Sequence, residues 1–123
     1  MVPSVVVIGA AGGLGRALTR VLRSRHFKVF GADVVKDDNA PVDQNIILEK
    51  NAVSWESSVK ALFSQHSISQ VDAVLNVAGG FAMATASQDN LMADTEAMVG
   101  SSLYSSMLAA RLASAYLKYL FQC

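Results

Sequence analysis

Residues 5–16 decide the fold, and they read Val5-Val6-Val7-Ile8-Gly9-Ala10-Ala11-Gly12-Gly13-Leu14-Gly15-Arg16. The opening run of β-branched apolar residues predicts a strand that is buried on both faces. Glycines let the backbone approach a ligand where a Cβ would collide, and the helical pattern after them adds the positive end of a helix dipole. Together these features predict a strand, a phosphate-binding loop and a helix.

The glycines fit two spacings. Gly9, Gly13 and Gly15 give Gly-x-x-x-Gly-x-Gly, and exchanging Gly13 for Gly12 gives Gly-x-x-Gly-x-x-Gly. Tight packing between a strand and a helix is the alternative reason for such a loop. Asp33 ends the next apolar run, where a dinucleotide fold places the acid that binds the adenosine ribose; an ordinary turn acid is the alternative. No Gly-Lys-Ser/Thr follows the loop, so a triphosphate site is not predicted.

Length and composition limit the chain to one domain, residues 1–123, with 52% apolar residues. Ten basic and ten acidic residues cancel, and no basic run predicts a nucleic-acid or anionic-membrane partner. No segment qualifies as a membrane span. Cys123 is the only cysteine, which excludes an intrachain disulfide and favours a reducing, cytoplasmic location. No His, Cys or carboxylate cluster has metal-ligand spacing, so we expect no metal site.

Strand and helix patterns alternate along the chain, which predicts parallel strands joined by crossover helices. The predicted strands are Val5–Ile8, Lys28–Ala32, Asn45–Leu48 and Val71–Asn76, and the predicted helices are Leu14–Arg25, Trp55–His66 and Ala93–Leu120. We expect a doubly wound α/β sheet of Rossmann type with strand order 3-2-1-4.

Helical spacing also predicts the buried faces of the first two helices. In the first helix the predicted buried residues are Leu14, Ala17, Leu18 and Val21, with Arg16, Arg20 and Arg23 facing away. In the second helix they are Val59, Leu62 and Phe63, and Ser54 is the predicted N-cap.

The third predicted helix, residues 93–120, is apolar around most of its circumference. Between Ala97 and Leu120 only Arg111 and Lys118 are charged. A helix of this kind is covered on more than one face. We expect one face on the sheet and the other against a second copy of the chain, with Leu108 and Leu112 as candidate residues of that homodimer contact.

Taken together, these motifs resemble the short-chain dehydrogenases/reductases. The glycine loop, Asp33 after the second strand, and Asn76-Val77-Ala78-Gly79 after the fourth carry the resemblance. It implies that the chain binds NAD(H), and the negative charge of Asp33 favours NADH over NADPH. The cofactor-binding residues that it implies are Gly9, Ala11, Gly12, Gly13, Leu14, Gly15, Asp33, Asn76, Ala78, Gly79 and Gly80.

Narrower features resemble the dihydropteridine reductases within that family. They are the sequence Ala32-Asp33-Val34-Val35 after the second strand, the Gly79-Gly80-Phe81 element and the serine-rich segment 98–106. The resemblance implies NADH-dependent reduction of a quinonoid dihydropterin to the tetrahydro form. Ser102 aligns with a position in the long helix where most of the family has an asparagine and where the dihydropteridine reductases do not. The alternative interpretation is that Ser102 is a small residue that lets two helices approach closely. The alternative functions are a short-chain reductase for a ketone or alcohol and a non-catalytic dinucleotide-binding fragment.

The family's catalytic tyrosine and lysine, four residues apart, are missing from the sequence. None of Tyr104, Tyr116 and Tyr119 has a lysine four residues further on. We therefore assign no catalytic residue. We expect the chain to be the cofactor-binding, N-terminal half of a reductase, incomplete at its C-terminus and without turnover by itself.

Overall fold

Four parallel strands form one sheet in the part of the chain that the structure describes. The computed structural model describes residues 2–37, 39, 41–79 and 85–118. The strands are β1 (Ser4–Ile8), β2 (Lys28–Asp33), β3 (Gln44–Ile47) and β4 (Ala73–Asn76), in the order β3-β2-β1-β4. This order confirms the predicted doubly wound α/β arrangement.

Helices cover both faces of the sheet. They are α1 (Gly13–Ser24), α2 (Trp55–Gln65) after a 3₁₀ turn at Ala52–Ser54, α3 (Leu91–Met98), a π-helical segment (Val99–Tyr104) and α4 (Ser105–Tyr116). Because β1 lies between β2 and β4 and under helices on both sides, its residues 5–8 are all buried. Val5 and Val7 face α1, whereas Val6 and Ile8 pack in the cluster that contains Phe63 of α2 and Leu112 of α4.

The predicted buried face of α1 is wrong at three of its four positions. The buried residues of the helix are Gly15 and Thr19, and Leu18 of the predicted set is half-buried. Leu14 is 68% exposed, Val21 is 55% exposed, and Ala17 is also exposed. The reason is that Gly15 packs against the backbone of the glycine loop. This contact turns the side of the helix that contains Gly15 and Thr19 toward the sheet.

Ser54 stands at the N-cap position of α2, but its side chain does not cap the helix. Its backbone already lies in the helical region, with φ −85° and ψ −7°, because the 3₁₀ turn precedes α2. A capping side chain normally requires an extended backbone. The Ser54 hydroxyl instead donates to the carbonyl oxygen of Asn51 at 2.8 Å, and Asn51 Oδ1 accepts from Val53 N–H at 3.1 Å.

The long helix that was predicted to run to Leu120 ends at Tyr116. Leu117 is extended and pairs in parallel with Val71. Val71 N–H donates to the carbonyl of Tyr116 at 2.8 Å, and Lys118 N–H donates to the carbonyl of Val71 at 2.9 Å. The prediction was wrong because these backbone groups pair with the chain just before β4 instead of continuing the helix; residues 119–120 lie outside the described part.

The residues expected to face a partner chain belong to the core of the single chain. Leu112 is fully buried, and Leu108 is also buried. Both lie in the cluster with Phe63, against which the ring of Tyr116 packs edge-on at 4.8 Å between centroids. The exposed large apolar residues of the π-helical segment and α4 are instead Leu103, Tyr104 and Met107.

Candidate cofactor site

A cleft of about 960 Å³ lies at the carboxyl ends of the strands, with α3 and the π-helical segment along one wall. Ligands of doubly wound sheets bind at this edge. The predicted site residues that line the cleft are Gly9, Ala11, Gly12, Asp33, Ala78 and Gly79. Gly13, Leu14 and Gly15 are the first residues of α1 and Asn76 is the last residue of β4, whereas Gly80 lies outside the described residues.

Two of the loop glycines are required by packing between backbone segments. Gly9 has φ +88°, and a Cβ there would lie 2.6 Å from Ala78 Cα. A Cβ on Gly15 would overlap the carbonyl oxygen of Gly9 and lie 2.8 Å from Ala10 Cα. These contacts hold β1, the start of α1 and the segment after β4 closely together, so Gly9 and Gly15 shape the cleft through the backbone.

Gly12 and Gly13 are different, because they leave the start of α1 open. A Cβ on Gly13 would meet no atom within 4 Å, and Gly12 is the N-cap of α1. Gly12 has no side chain to satisfy the first N–H groups of the helix, and the first turn holds no acidic residue. Free N–H groups and the helix dipole therefore point to a place where an anionic group fits.

Asp33 connects the end of β2 to the glycine loop. Its Oδ2 accepts from Ala11 N–H at 3.0 Å, and its Oδ1 accepts from Val35 N–H at 3.2 Å. An ionised carboxylate has about four acceptor positions, so both oxygens keep capacity for hydroxyl donors of a ligand. The acid is thus fixed beside the loop, at the same cleft, as its predicted role requires.

Asn76 acts on the shape of the cleft from the end of β4. Its Oδ1 accepts from Ala78 N–H at 3.0 Å, which fixes the turn into Gly79. Its Nδ2 donates to the hydroxyls of Ser105 at 3.2 Å and Ser106 at 3.4 Å. Asn76 therefore ties the strand end to α4.

The π-helical segment determines which serines line the cleft. Ser101 and Ser105 line it, together with Gly100, whereas Ser102, the position aligned with the family's helix asparagine, is exposed. Ser105 Oγ donates to the carbonyl of Ser101 at 2.8 Å, and Ser106 Oγ donates to that of Ser102 at 2.7 Å. Sequence reasoning missed Ser101 and Ser105 because a π-helical turn changes the phase of a helix.

A second cavity of about 600 Å³ lies beside the first, between the start of α2 and the π-helical segment. On its wall Arg111 Nε donates to Glu56 Oε1 at 2.9 Å. The hydrogen bond from Arg111 is the largest cause that lowers the pKa of Glu56 below its usual 4.5, and Lys60 acts in the same direction. This ion pair links α2 to α4, and Lys50, Trp55 and other residues border both cavities.

Within the described ranges, no tyrosine lines the candidate cofactor cleft. Tyr104 borders the second cavity, Tyr116 packs on Phe63, and Tyr119 lies outside these ranges. No group of three or more metal-ligating side chains occurs in residues 2–37, 39, 41–79 and 85–118. Among the helices described, none combines the length and apolar character needed to cross a bilayer.

Comparison with known proteins identifies the family. The model of the NAD dependent epimerase/dehydratase family matches residues 5–121. Dihydropteridine reductase of Dictyostelium discoideum is 25% identical over 112 residues, which cover 91% of this chain and 47% of that protein. The chain spans about half the length of this relative.

Solved structures with the same fold are short-chain dehydrogenases/reductases and related enzymes. Aldohexose dehydrogenase of Thermoplasma acidophilum aligns with a TM-score of 0.77 at 20% identity, over 94% of this chain and 44% of that one. A short-chain dehydrogenase/reductase of Serratia marcescens aligns at 0.70 and 21% identity, over 94% and 52%. The 3-ketoacyl-(acyl-carrier-protein) reductase of Brucella melitensis, complexed with NADH, aligns at 0.67 and 18% identity, over 92% and 49%.

The chain belongs to the NAD-dependent epimerase/dehydratase family. Its parallel sheet and flanking helices are those of the short-chain dehydrogenases/reductases. Membership of this family makes the cleft a candidate site for a nicotinamide dinucleotide.

Proposed function

We propose that the cleft binds NAD(H), with the pyrophosphate at Gly12 and Gly13 and the adenosine ribose at Asp33. The observation that carries this proposal is the hydrogen bond from Ala11 N–H to Asp33 Oδ2, which joins the loop and the acid at one cleft. Ala78 and Gly79 line the same cleft as Ser101, and Gly80 stays a prediction from the sequence.

The proposed preference is for NADH over NADPH. A 2′-phosphate beside the Asp33 carboxylate places like charges a few ångströms apart, which costs about 1 kcal/mol or more even in a wet site. That is roughly fivefold or more in Kd. The measurement is nucleotide fluorescence titration of the chain with NADH and with NADPH.

Asp33→Asn should reduce the ratio of the Kd for NADPH to the Kd for NADH, because it removes the negative charge and keeps an acceptor oxygen. Asp72→Asn is the matched control, since Asp72 accepts from Ser4 N–H at the other end of the sheet. Equal Kd values for NADH and NADPH in the unsubstituted chain would contradict the assignment of Asp33.

We propose that the complete reaction is reduction of a quinonoid dihydropterin. NADH would supply the hydride and solvent or a side chain the proton, giving NAD⁺ and the tetrahydropterin. The support is the Gly79-Gly80-Phe81 element and the serine-rich segment, together with the similarity to the Dictyostelium reductase. This chain would orient the dinucleotide through Asp33, Asn76 and the glycine loop.

Two alternatives remain as proposals. A short-chain reductase for a ketone or alcohol would use the same cleft, and a non-catalytic dinucleotide-binding chain is favoured by the missing tyrosine–lysine pair. NADH oxidation is measured with quinonoid dihydropterin and with a panel of ketones. We expect NADH binding without turnover by residues 1–123; robust turnover would point first to Tyr104.

We propose a homodimer through the exposed apolar residues Leu103, Tyr104 and Met107. Met107 is 58% exposed, and a glutamate there should weaken association because it places a charge in the contact. Met92→Glu is the matched control, since Met92 is an exposed methionine on α3. If neither Leu103→Glu nor Met107→Glu changes the sedimentation of the chain, the proposed dimer is refuted. We expect the protein to be cytoplasmic.

A further inference from the structure

An ion pair joins the first turn of α1 to the segment after β2. Its partners are the Arg16 guanidinium and the Asp37 carboxylate, whose side chains are 31% and 17% exposed. The Asp37 carboxylate also accepts from Asn39 N–H at 3.0 Å, and the Asp37 carbonyl oxygen accepts from Asn45 Nδ2 at 3.4 Å. Asp37 is therefore held by its own segment, through Asn39, and by β3, through Asn45.

This pair is connected, through the glycine loop and the segment after β2, to the acid that is proposed to bind the ribose. Arg16 N–H donates to the carbonyl of Gly12 at 2.9 Å, so Arg16 follows the loop whose Ala11 is bonded to Asp33. Asp37 follows Asp33 in the segment after β2. The ion pair thus bridges the two chain segments that flank Asp33, and the charge of Arg16 is neutralised by Asp37.

We propose that Asp37 determines cofactor specificity by holding the Arg16 guanidinium away from the ribose 2′ position. This inference rests on the proposed dinucleotide site. Arginine binds phosphate through charge-assisted hydrogen bonds, so an unpaired Arg16 would offset part of the repulsion between Asp33 and a 2′-phosphate. Discrimination against NADPH then has two sources, the charge of Asp33 and the pairing of Arg16.

The test compares NADH and NADPH affinities in a set of charge variants of the full chain. Asp37→Asn removes the carboxylate charge and keeps an oxygen that can accept from Asn39 N–H. We expect it to tighten NADPH binding about tenfold, the effect of one hydrogen bond to a charged group, while the Kd for NADH stays unchanged. Arg16→Gln in the Asp37→Asn background should abolish this gain.

Two further variants separate Arg16 from other cations. Arg20→Gln in the Asp37→Asn background is the matched control, because Arg20 is an exposed arginine of the same helix; it should keep the gain. Lys50→Gln in that background should keep it as well, although Lys50 lines the cleft. Circular dichroism checks folding, and Asp37→Ser provides a second neutral variant.

Titration with adenosine 2′,5′-bisphosphate and with AMP gives the same comparison without the nicotinamide. An unchanged ratio of NADH to NADPH affinity in both Asp37 variants would overturn the inference while leaving the proposed site intact. A gain that survives Arg16→Gln, or that is lost with Lys50→Gln, would also overturn it. Failure of the unsubstituted chain to bind NADH would overturn the proposed function and this inference together.

Discussion

Gly15→Ala should damage the fold, whereas Gly13→Ala should damage cofactor binding alone. A Cβ on Gly15 overlaps the carbonyl oxygen of Gly9 and lies 2.8 Å from Ala10 Cα. Both neighbours are backbone atoms of the loop at the end of β1, so relief requires the start of α1 to move. A Cβ on Gly13 meets no atom within 4 Å, although it would stand where the pyrophosphate is proposed to lie.

The magnitudes separate the two variants. Overpacking of this kind costs about 1–3 kcal/mol, and rigid neighbours favour the upper end. At about 4 °C per kcal/mol for a chain of this size, the Tm of Gly15→Ala should fall by roughly 8–12 °C. Gly13→Ala should stay within about 0.5 kcal/mol of the parent, but it should raise the Kd for NADH at least about tenfold, because one hydrogen bond to a charged group is lost.

The assay is thermal unfolding followed by circular dichroism, together with NADH fluorescence titration of the same preparations. The proposed packing role of Gly15 is refuted if Gly15→Ala has the same Tm as the parent chain, or if Gly13→Ala lowers the Tm by as much as Gly15→Ala. If Gly13→Ala binds NADH as tightly as the parent chain, the pyrophosphate does not lie at this position. Loss of binding without any change in Tm in Gly13→Ala is the expected signature of a residue that serves the ligand.

Three further predictions concern stability. Gly31→Ala should lower the Tm by less than Gly15→Ala, because the nearest atom to the new Cβ is a Val42 methyl carbon at 2.7 Å that can rotate away, whereas the atoms around Gly15 are all backbone; equal losses in parallel melts would contradict this. Leu112→Ala should cost about 2–5 kcal/mol in urea unfolding, since Leu112 is fully buried, and a loss below about 1 kcal/mol would disagree with its place in the core. The lowered pKa of Glu56 means that its contribution to stability is present above pH 4.5 and is lost as the pH falls through the lowered value. Arg111→Gln should therefore reduce stability at neutral pH and lose its effect in acid, and an effect independent of pH in urea melts would exclude the ion pair as the cause.

The strands and their order were predictable because their signals are local and consistent. The run at residues 5–8 has both faces covered, and a strand buried in this way is apolar at every position. The loop glycines and Asp33 were also visible in the sequence, and Gly9, Gly12 and Asp33 line one cleft in the structure; their role in binding a dinucleotide stays a prediction.

The buried face of α1 was not predictable from hydrophobic spacing. Leu14 and Val21 lie at helical spacing but remain exposed, whereas Gly15 and Thr19 are buried. Gly15 makes the close backbone contact between the helix and the glycine loop, and glycine contributes nothing to an apolar pattern. The end of α4 was missed for a related reason, since Leu117 leaves the helix to pair with Val71, a residue remote in sequence.

Serine hydroxyls connect the π-helical segment to the end of β4. Ser105 and Ser106 donate to the carbonyls of Ser101 and Ser102, one turn earlier. Hydroxyls that bond back in this way compete with the helical backbone and often bend helices. The same two hydroxyls accept from Asn76 Nδ2. Asn76 is therefore joined through one hydrogen-bond network to Ser101, which lines the cleft.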